Sequence, residues 1–378
     1  MTFVGKPITC KAALLRKEGH PLTIETITVD PPQGSEVRVR MVSAGVCATD
    51  GHPVWGRETD VQLDTGGRPM VLGHEGAGVV ESTGPEVTSV RPGDKVVIMW
   101  MPECGRCALC ANPRTNHCLS GNIVTNMYHE GGQCRTRVDG QPVLMFFGTG
   151  TFAQYTVVRE AQVAKVNPKA NLNDICIIGC AVGTGYAGAT NIAKVQRGSK
   201  CVVWGLGAIG LSTVLGCRDA GAAEIIGIDR NDYKGEIAKQ LGCTQFINPK
   251  TTDKQIDDIL KSEGGVDYAF DCIGSVDVID SCLKSLNPWG FLTLIGLPPR
   301  GKTVNIPSSR LLAGAHVSGG YYGNAKPRAL NQHLVDLHCT DRLPIEHMIT
   351  QRLNLDDINK AFDDLKAGKA IRTVIMFD

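Results

Sequence analysis

The 378-residue sequence has no apolar run approaching the ~18 residues that suggest a membrane-spanning helix. Charge of one sign is also missing. The 39 lysines and arginines against 38 aspartates and glutamates leave +1, so no global field favours nucleic acid or an anionic membrane surface. The opening MTFVGKPITC lacks the basic segment followed by an apolar one that marks a secretory signal, and a cytoplasmic location is expected. No repeat or low-complexity segment stands out. The 44 glycines follow no triplet period, which excludes a fibrous repeat and leaves tight turns and close backbone approaches as their use. The 42% hydrophobic and 20% charged content is that of a soluble globular protein, and the length suggests about two domains.

Cysteine, by contrast, is abundant: fifteen residues, an odd number. Without a secretory signal this points to reduced thiols and metal ligands, not disulfides. Cys104, Cys107, Cys110 and Cys118 lie in PECGRCALCANPRTNHC. Four thiolates so close in sequence can wrap one tetrahedral Zn²⁺ and leave no open position, which is the mark of a structural site. A nucleic-acid zinc module would normally bring a basic surface; this segment holds only Arg106 and Arg114.

The first 180 residues read mostly as short strands. EVRVRMV alternates apolar and polar residues, and MVLGHEGAGVVEST and GDKVVIMW are β-rich runs between turn residues. Near residue 180 the texture changes to alternating strands and helices: CVVW, AEIIGIDR, QFIN, VDYAFDCIG and FLTLIGLP as strands, YKGEIAKQLGC and SVDVIDSCLKSLNPWG as helices. Such alternation predicts right-handed crossovers and a parallel sheet. The pattern fades after about Tyr322, and the tail reads as a helix and a closing strand that returns to the first domain.

GLGAIG follows the strand CVVW and opens a helix. Gly205 permits the tight turn, Gly207 lets the backbone approach a pyrophosphate, and Gly210 lets helix pack on strand. Asp229 ends the next strand, where a carboxylate can bind an adenosine ribose and repel a 2′-phosphate. NAD is therefore favoured over NADP, although Arg230 beside it could tolerate a phosphate. A glycine-rich turn serving another ligand is the alternative.

GVCATDGH (Gly45 to His52), GHEGAGVVES, the four-cysteine lobe, GTGTFAQYTVV, IGCAVGTGYAGA, GLGAIG, IIGID and IRTVIMF together resemble the zinc-dependent medium-chain alcohol dehydrogenases of the animal and plant type, which include the glutathione-dependent formaldehyde dehydrogenases. The resemblance covers nearly the whole chain. It implies an α/β homodimer built from a GroES-like β-barrel catalytic domain (residues 1–181 and 323–378, with the structural zinc lobe at about 100–120) and a doubly wound Rossmann NAD-binding domain (182–322). It also implies two zinc ions per chain. Cys47, His74 and Cys180 would be the ligands of a catalytic zinc with an exchangeable fourth position. Thr49 and His52 would relay the alcohol proton to solvent, and Asp50 would orient His74. Glu75 has two readings, a carboxylate that approaches the metal or a buried acid held by a basic partner. Thr184 and Phe147 would lie near nicotinamide and substrate. Trp100, Ile123, Phe146 and Leu297 match positions lining the substrate cleft, with Leu297 also reaching the cofactor; each alone is more often core than pocket. Lys234 would reach the adenosine ribose and Arg372 the pyrophosphate.

Three departures stand out. Ala48 replaces a cation usual against the pyrophosphate. Asn122 replaces the arginine that glutathione-dependent members carry, which demotes S-(hydroxymethyl)glutathione as a substrate. The stretch between His52 and His74 is long, and its Trp55 could enter the cleft or cover a hydrophobic edge. The expected activity is reversible NAD-dependent oxidation of primary or secondary alcohols, medium-sized, allylic, aromatic or terpenoid. The alternatives are the formaldehyde-adduct activity and a zinc- and nucleotide-binding redox sensor or scaffold without turnover; the relay residues argue against the latter.

Overall fold

EVRVRMVSAGV forms an eleven-residue strand, Glu36–Val46, which organises the first of two units in this computed structural model. Residues 5–57, 65–121 and 133–377 are described; the chain divides into Met1–Cys180 with Lys326–Asp378, and Ala181–Ala325. Strand Glu36–Val46 pairs antiparallel with Glu75–Thr83 along one edge. Along the other lie Tyr155–Arg159, beside its first half, and Arg372–Met376, beside its last. The closing strand thus sits next to residues 43–46, immediately before Cys47. Among the described residues this sheet has seven strands and a second sheet has six, and Val37, Val39, Met41, Val80, Val96, Ile98 and Val158 pack as one buried cluster. This is the β-barrel unit that the resemblance implied.

The second unit is a six-stranded sheet with every pairing parallel. Its strands are ordered Gln245–Ile247, Glu224–Ile228, Lys200–Trp204, Val266–Asp271, Leu286–Leu294, His316–Gly319. Its central strands are almost wholly buried, because crossover helices cover both faces of a parallel sheet. The Rossmann expectation is met, although the helix Ile256–Ser262 and the edge strand His316–Gly319 are not among the expected elements, and one expected element differs locally. SVDVIDSCLKSLNPWG does not end in a turn: the helix stops at Ser285 and a strand starts at Leu286. Pro288 ends the helix, and Trp289 adopts a left-handed φ of 65° within the strand. Among the described residues no helix is long and apolar enough to cross a membrane.

The glycine turn is sterically exacting. Gly205 has φ +88°, and a Cβ on Gly210 would lie 1.8 Å from the Gly205 carbonyl oxygen. Gly207 is the N-cap of helix Ala208–Asp219, and a Cβ there would meet nothing within 4 Å. Gly210→Ala should therefore force the helix off the strand and lower stability by about 2–3 kcal/mol, whereas Gly207→Ala should cost little. Urea unfolding of the two variants checks this; equal midpoints would contradict it.

Candidate active site and zinc lobe

The segment GVCATDGH becomes a strand end and a helix. Gly45 and Val46 close the strand, Cys47 is the extended N-cap, and Ala48–Trp55 form the helix. Asp50, at the third helical position, is fully buried. Its Oδ2 accepts from the Cys47 N–H at 3.3 Å, and its Oδ1 accepts from Gly73 N at 3.0 Å and His74 Nδ1 at 2.8 Å. One carboxylate thus joins the segments that carry Cys47 and His74. With Nδ1 engaged, His74 Nε2 faces Cys180 Sγ at 3.3 Å. Cys180 follows the tight turn Ile175–Gly179. A Cβ on Gly179 would lie 2.5 Å from the Ile98 carbonyl, so that turn packs directly on a strand.

Cys47, His74, Glu75 and Cys180 bring one ligand atom each within 4.8 Å of one another, all from buried residues. Two thiols and an imidazole are the donors zinc prefers. Both Glu75 carboxylate oxygens are buried without a hydrogen bond, which suits a neighbouring cation. Gly45 is what admits this carboxylate: a Cβ there would lie 2.0 Å from Glu75 Oε2. Arg372, only 4% exposed, donates from Nη1 to the Val46 carbonyl at 2.7 Å and holds Nη2 3.5 Å from Glu75 Oε1. The metal-facing and basic-partner roles of Glu75 are therefore compatible in one geometry. Burial pushes Glu75 up to about 7, against the pull of Arg372. The Cys180 hydrogen bond, opposed by burial and helped by the Arg372 charge, holds Cys47 well below the ordinary thiol range.

An aromatic wall stands against His74. The ring centroids of Phe147, Phe146 and Trp100 lie 5.6, 6.0 and 6.4 Å from the imidazole, and Trp100 and Phe147 are 5.7 Å apart. The Trp55 indole folds back over Gly51, packs edge-on to Phe362 at 6.3 Å, lies 6.4 Å from the His52 ring and sits under Arg57. Thr49 and His52 share the helix of Asp50, and both are partly exposed. Ala48 is exposed at the helix start. Asn122 and Ile123 lie outside the described residues.

In the lobe, Cys104, Cys107, Cys110 and Cys118 hold their sulfurs within 4.8 Å of one another. The Cys104–Cys110 and Cys107–Cys118 separations are 3.9 and 4.0 Å, close to the ~3.8 Å edge of a tetrahedron with ~2.3 Å zinc–sulfur bonds. The donor set and its spacing fit a closed zinc site. Cys107 Sγ accepts backbone N–H groups from Leu119 and Cys110, and these bring its thiol down to about 6. Lys326 Nζ ties the lobe down through the Leu109 and Thr115 carbonyls at 2.9 and 2.7 Å.

In the parallel-sheet unit, Asp229 Oδ2 accepts from Leu206 N at 2.8 Å and Oδ1 from Asn231 N at 3.0 Å, with Lys234 Nζ 3.8 Å from Oδ2. The carboxylate is thus fixed beside the glycine turn. Thr184 is buried in helix Ala181–Ala187, and Leu297 is 37% exposed. The sequence reading missed Ile273, half-exposed with its side chain against Gly205. It also missed Asp271, whose carboxylate receives the Ile273 and Gly274 N–H groups and shapes that loop. An acid followed by Cys-Ile-Gly at a strand end was the available signal.

Comparison with known proteins agrees with this geometry. Residues 33–168 match the alcohol dehydrogenase GroES-like domain, and residues 208–337 match the zinc-binding dehydrogenase family. A geraniol dehydrogenase from Carpoglyphus lactis is 42% identical over 371 residues, 98% of each chain. The crystal structure of an alcohol dehydrogenase zinc-binding domain protein from Burkholderia ambifaria superposes with a TM-score of 0.91 at 33% identity, covering 99% of this chain and all of that one. Benzyl alcohol dehydrogenase from Acinetobacter calcoaceticus gives 0.87 at 30% identity, covering 98% of this chain and all of its own.

The two cysteine sets should behave differently. Cys107→Ser is expected to lose one zinc and much of the stability, because it opens a closed site. Cys47→Ser should lose turnover while the fold survives. Metal analysis paired with thermal unfolding checks this, and one zinc per active folded chain would refute it.

Proposed function

This chain belongs to the zinc-binding alcohol dehydrogenase family, and from that premise we propose that it oxidises medium-sized allylic or aromatic primary alcohols with NAD. It is a zinc-dependent oxidoreductase acting on CH–OH donors; the substrate size, the cofactor and the roles of individual residues are the proposal. The observation that carries the substrate class is the wall of Trp100, Phe146 and Phe147 against His74, all within one unit. Flat π faces suit an allylic or aromatic alcohol better than ethanol. The names of two relatives, a geraniol and a benzyl alcohol dehydrogenase, support the same class.

Cys47, His74 and Cys180 would hold the catalytic zinc, and Cys104, Cys107, Cys110 and Cys118 the structural one. When bound, the catalytic zinc supplies Lewis acidity toward the alcohol oxygen and NAD accepts the hydride. Asp50 keeps the His74 proton on Nδ1 and the Nε2 lone pair toward the ligand cluster. The Thr49 hydroxyl, two residues beyond Cys47, would accept the alcohol proton while passing its own to the cofactor ribose. His52, three residues further along the same helix, releases it to solvent. Gly205, Gly207 and Gly210 would cradle the pyrophosphate, with Asp229 and Lys234 on the adenosine ribose, Thr184 and Leu297 toward the nicotinamide, and Arg372 as a further phosphate contact. The homodimer implied by the resemblance belongs to the proposal: strand His316–Gly319 ends its sheet near exposed Trp289 and Leu312. The glutathione-adduct reading is not favoured, because Asn122 supplies no cation.

Steady-state rates with geraniol, benzyl alcohol, ethanol and S-(hydroxymethyl)glutathione test the substrate class. The first two should show the highest kcat/KM, and preference for the glutathione adduct would reverse the assignment. NAD should be favoured over NADP, and Asp229→Ala should narrow that preference by weakening NAD; better kcat/KM with NADP in the unmutated protein would overturn it. Burial lowers the His52 pKa from its ordinary 6.5, with Cys47 and Asp50 opposing and Arg57 reinforcing. Its base form therefore persists to lower pH, and the acid limb of kcat due to His52 should lie below 6.5. His52→Gln should cut kcat at pH 7 by about 100-fold and remove that limb. An unchanged pH profile would exclude His52 from proton release.

A further inference from the structure

We propose that Gln162 is a specificity-positioning residue: its buried side-chain amide sets the backbone that carries Phe147 and Trp100. The inference rests on the reading of these two rings as the alcohol-facing wall. Gln162 ends the short turn Glu160–Gln162 and is fully buried. Its own carbonyl accepts from Met99 N at 2.8 Å, which extends the pairing of strands Lys95–Ile98 and Val163–Lys165 by one step. The side chain Oε1 accepts from Arg159 Nε at 3.2 Å. That contact fixes which end of the amide is oxygen. Nε2 must then point the other way, where it donates to the Phe147 carbonyl at 2.9 Å and approaches the Met99 carbonyl at 3.5 Å. One amide therefore spans the backbone of Phe147 and the residue immediately before Trp100.

Phe147 needs such a restraint. Its φ of 53° and ψ of 20° are left-handed, a conformation that a bulky L residue holds only where its surroundings enforce it. If the Phe147 carbonyl is released, the backbone can relax and carry the ring away from Trp100 and His74. Gln162 touches neither the ligand cluster nor, on this reading, the alcohol. Its effect on turnover should therefore pass through the shape of the wall and be felt by large substrates alone.

The test uses full-length Gln162→Met, which keeps the length and removes the donor, and Gln162→Glu, which keeps an acceptor for Arg159 but turns an oxygen on the Phe147 carbonyl. Phe147→Ala is the control. For each, kcat and KM with NAD are measured for geraniol and for allyl alcohol, which carries the same reacting group without the bulk, together with zinc content. Losing one buried hydrogen bond should raise KM for geraniol by about tenfold while kcat stays within about threefold and KM for allyl alcohol within about twofold. Phe147→Ala should move the same ratio. If Phe147→Ala moves the geraniol-to-allyl ratio and neither Gln162 variant does, the proposal is overturned and the aromatic wall stands. If Phe147→Ala leaves the ratio unmoved, the wall reading falls and the proposal with it. Equal losses for both alcohols, or lost zinc, would make Gln162 merely structural. Should Gln162→Met fail to fold, the ratio in Gln162→Glu decides.

Discussion

The first unit depends on the carboxylate of Asp50. It has no exposure to water, so it must be satisfied internally or it costs several kcal/mol. It receives the Cys47 N–H, the Gly73 N–H and the His74 imidazole. Hydrogen bonds to a charged group contribute about 1.5–3 kcal/mol each, and here they join two segments some two dozen residues apart in the chain. Burial raises the Asp50 pKa, and only the His74 and backbone contacts oppose it. Loss of His74 would therefore leave a buried acid without its strongest partner. The His74 imidazole and the Asp50 carboxylate are each the condition for burying the other.

Small residues make the remaining room. A side chain on Gly45 would collide with the Glu75 carboxylate, and one on Gly73 with Thr151 and Phe152. These glycines flank the residues that carry the chemistry, since a carboxylate or imidazole brought close to a neighbouring strand needs a strand without a side chain there. In the parallel-sheet unit the same constraint appears between Gly205 and Gly210, where helix and turn are in backbone contact.

How legible each part was in the sequence follows from the range over which its information is written. The parallel sheet is local, each buried apolar run followed by its helix, and it is read correctly except at Leu286–Gly290. There Pro288 and Trp289 look like a turn yet enter a strand through a register irregularity; the helix Ile256–Ser262 and the short edge strand His316–Gly319 were also not read. The four-cysteine lobe is more local still. The set Cys47, His74, Glu75 and Cys180 has no characteristic spacing and could be named only through resemblance. The Glu75–Arg372 pairing depends on the closing strand lying beside residues 43–46, which no local pattern encodes. Gln162 gave no signal at all: a buried glutamine in a turn is recognisable only once its two carbonyl partners are in place.

That difference in range implies a difference in how the two thiol sets take up metal. The lobe closes loops of a few residues, at little entropic cost. Backbone N–H groups already point at Cys107 and bring its thiol down to about 6, which favours its thiolate. Its cysteines are mostly only partly buried, which leaves a path for the ion. The second set is drawn from residues 47, 74, 75 and 180, all buried, and it exists only after the barrel strands have paired and Asp50 has found His74. Its thiols lie in contact in a buried site, and the bond to Cys47 and burial push Cys180 well above the ordinary range. A metal ion entering there would have to expel protons against the low dielectric of the interior, with the Arg372 charge favouring the thiolate and the Glu75 carboxylate favouring the cation. The lobe is thus written within one short segment, whereas the second set is assembled from separate segments that only the pairing of the barrel strands brings together.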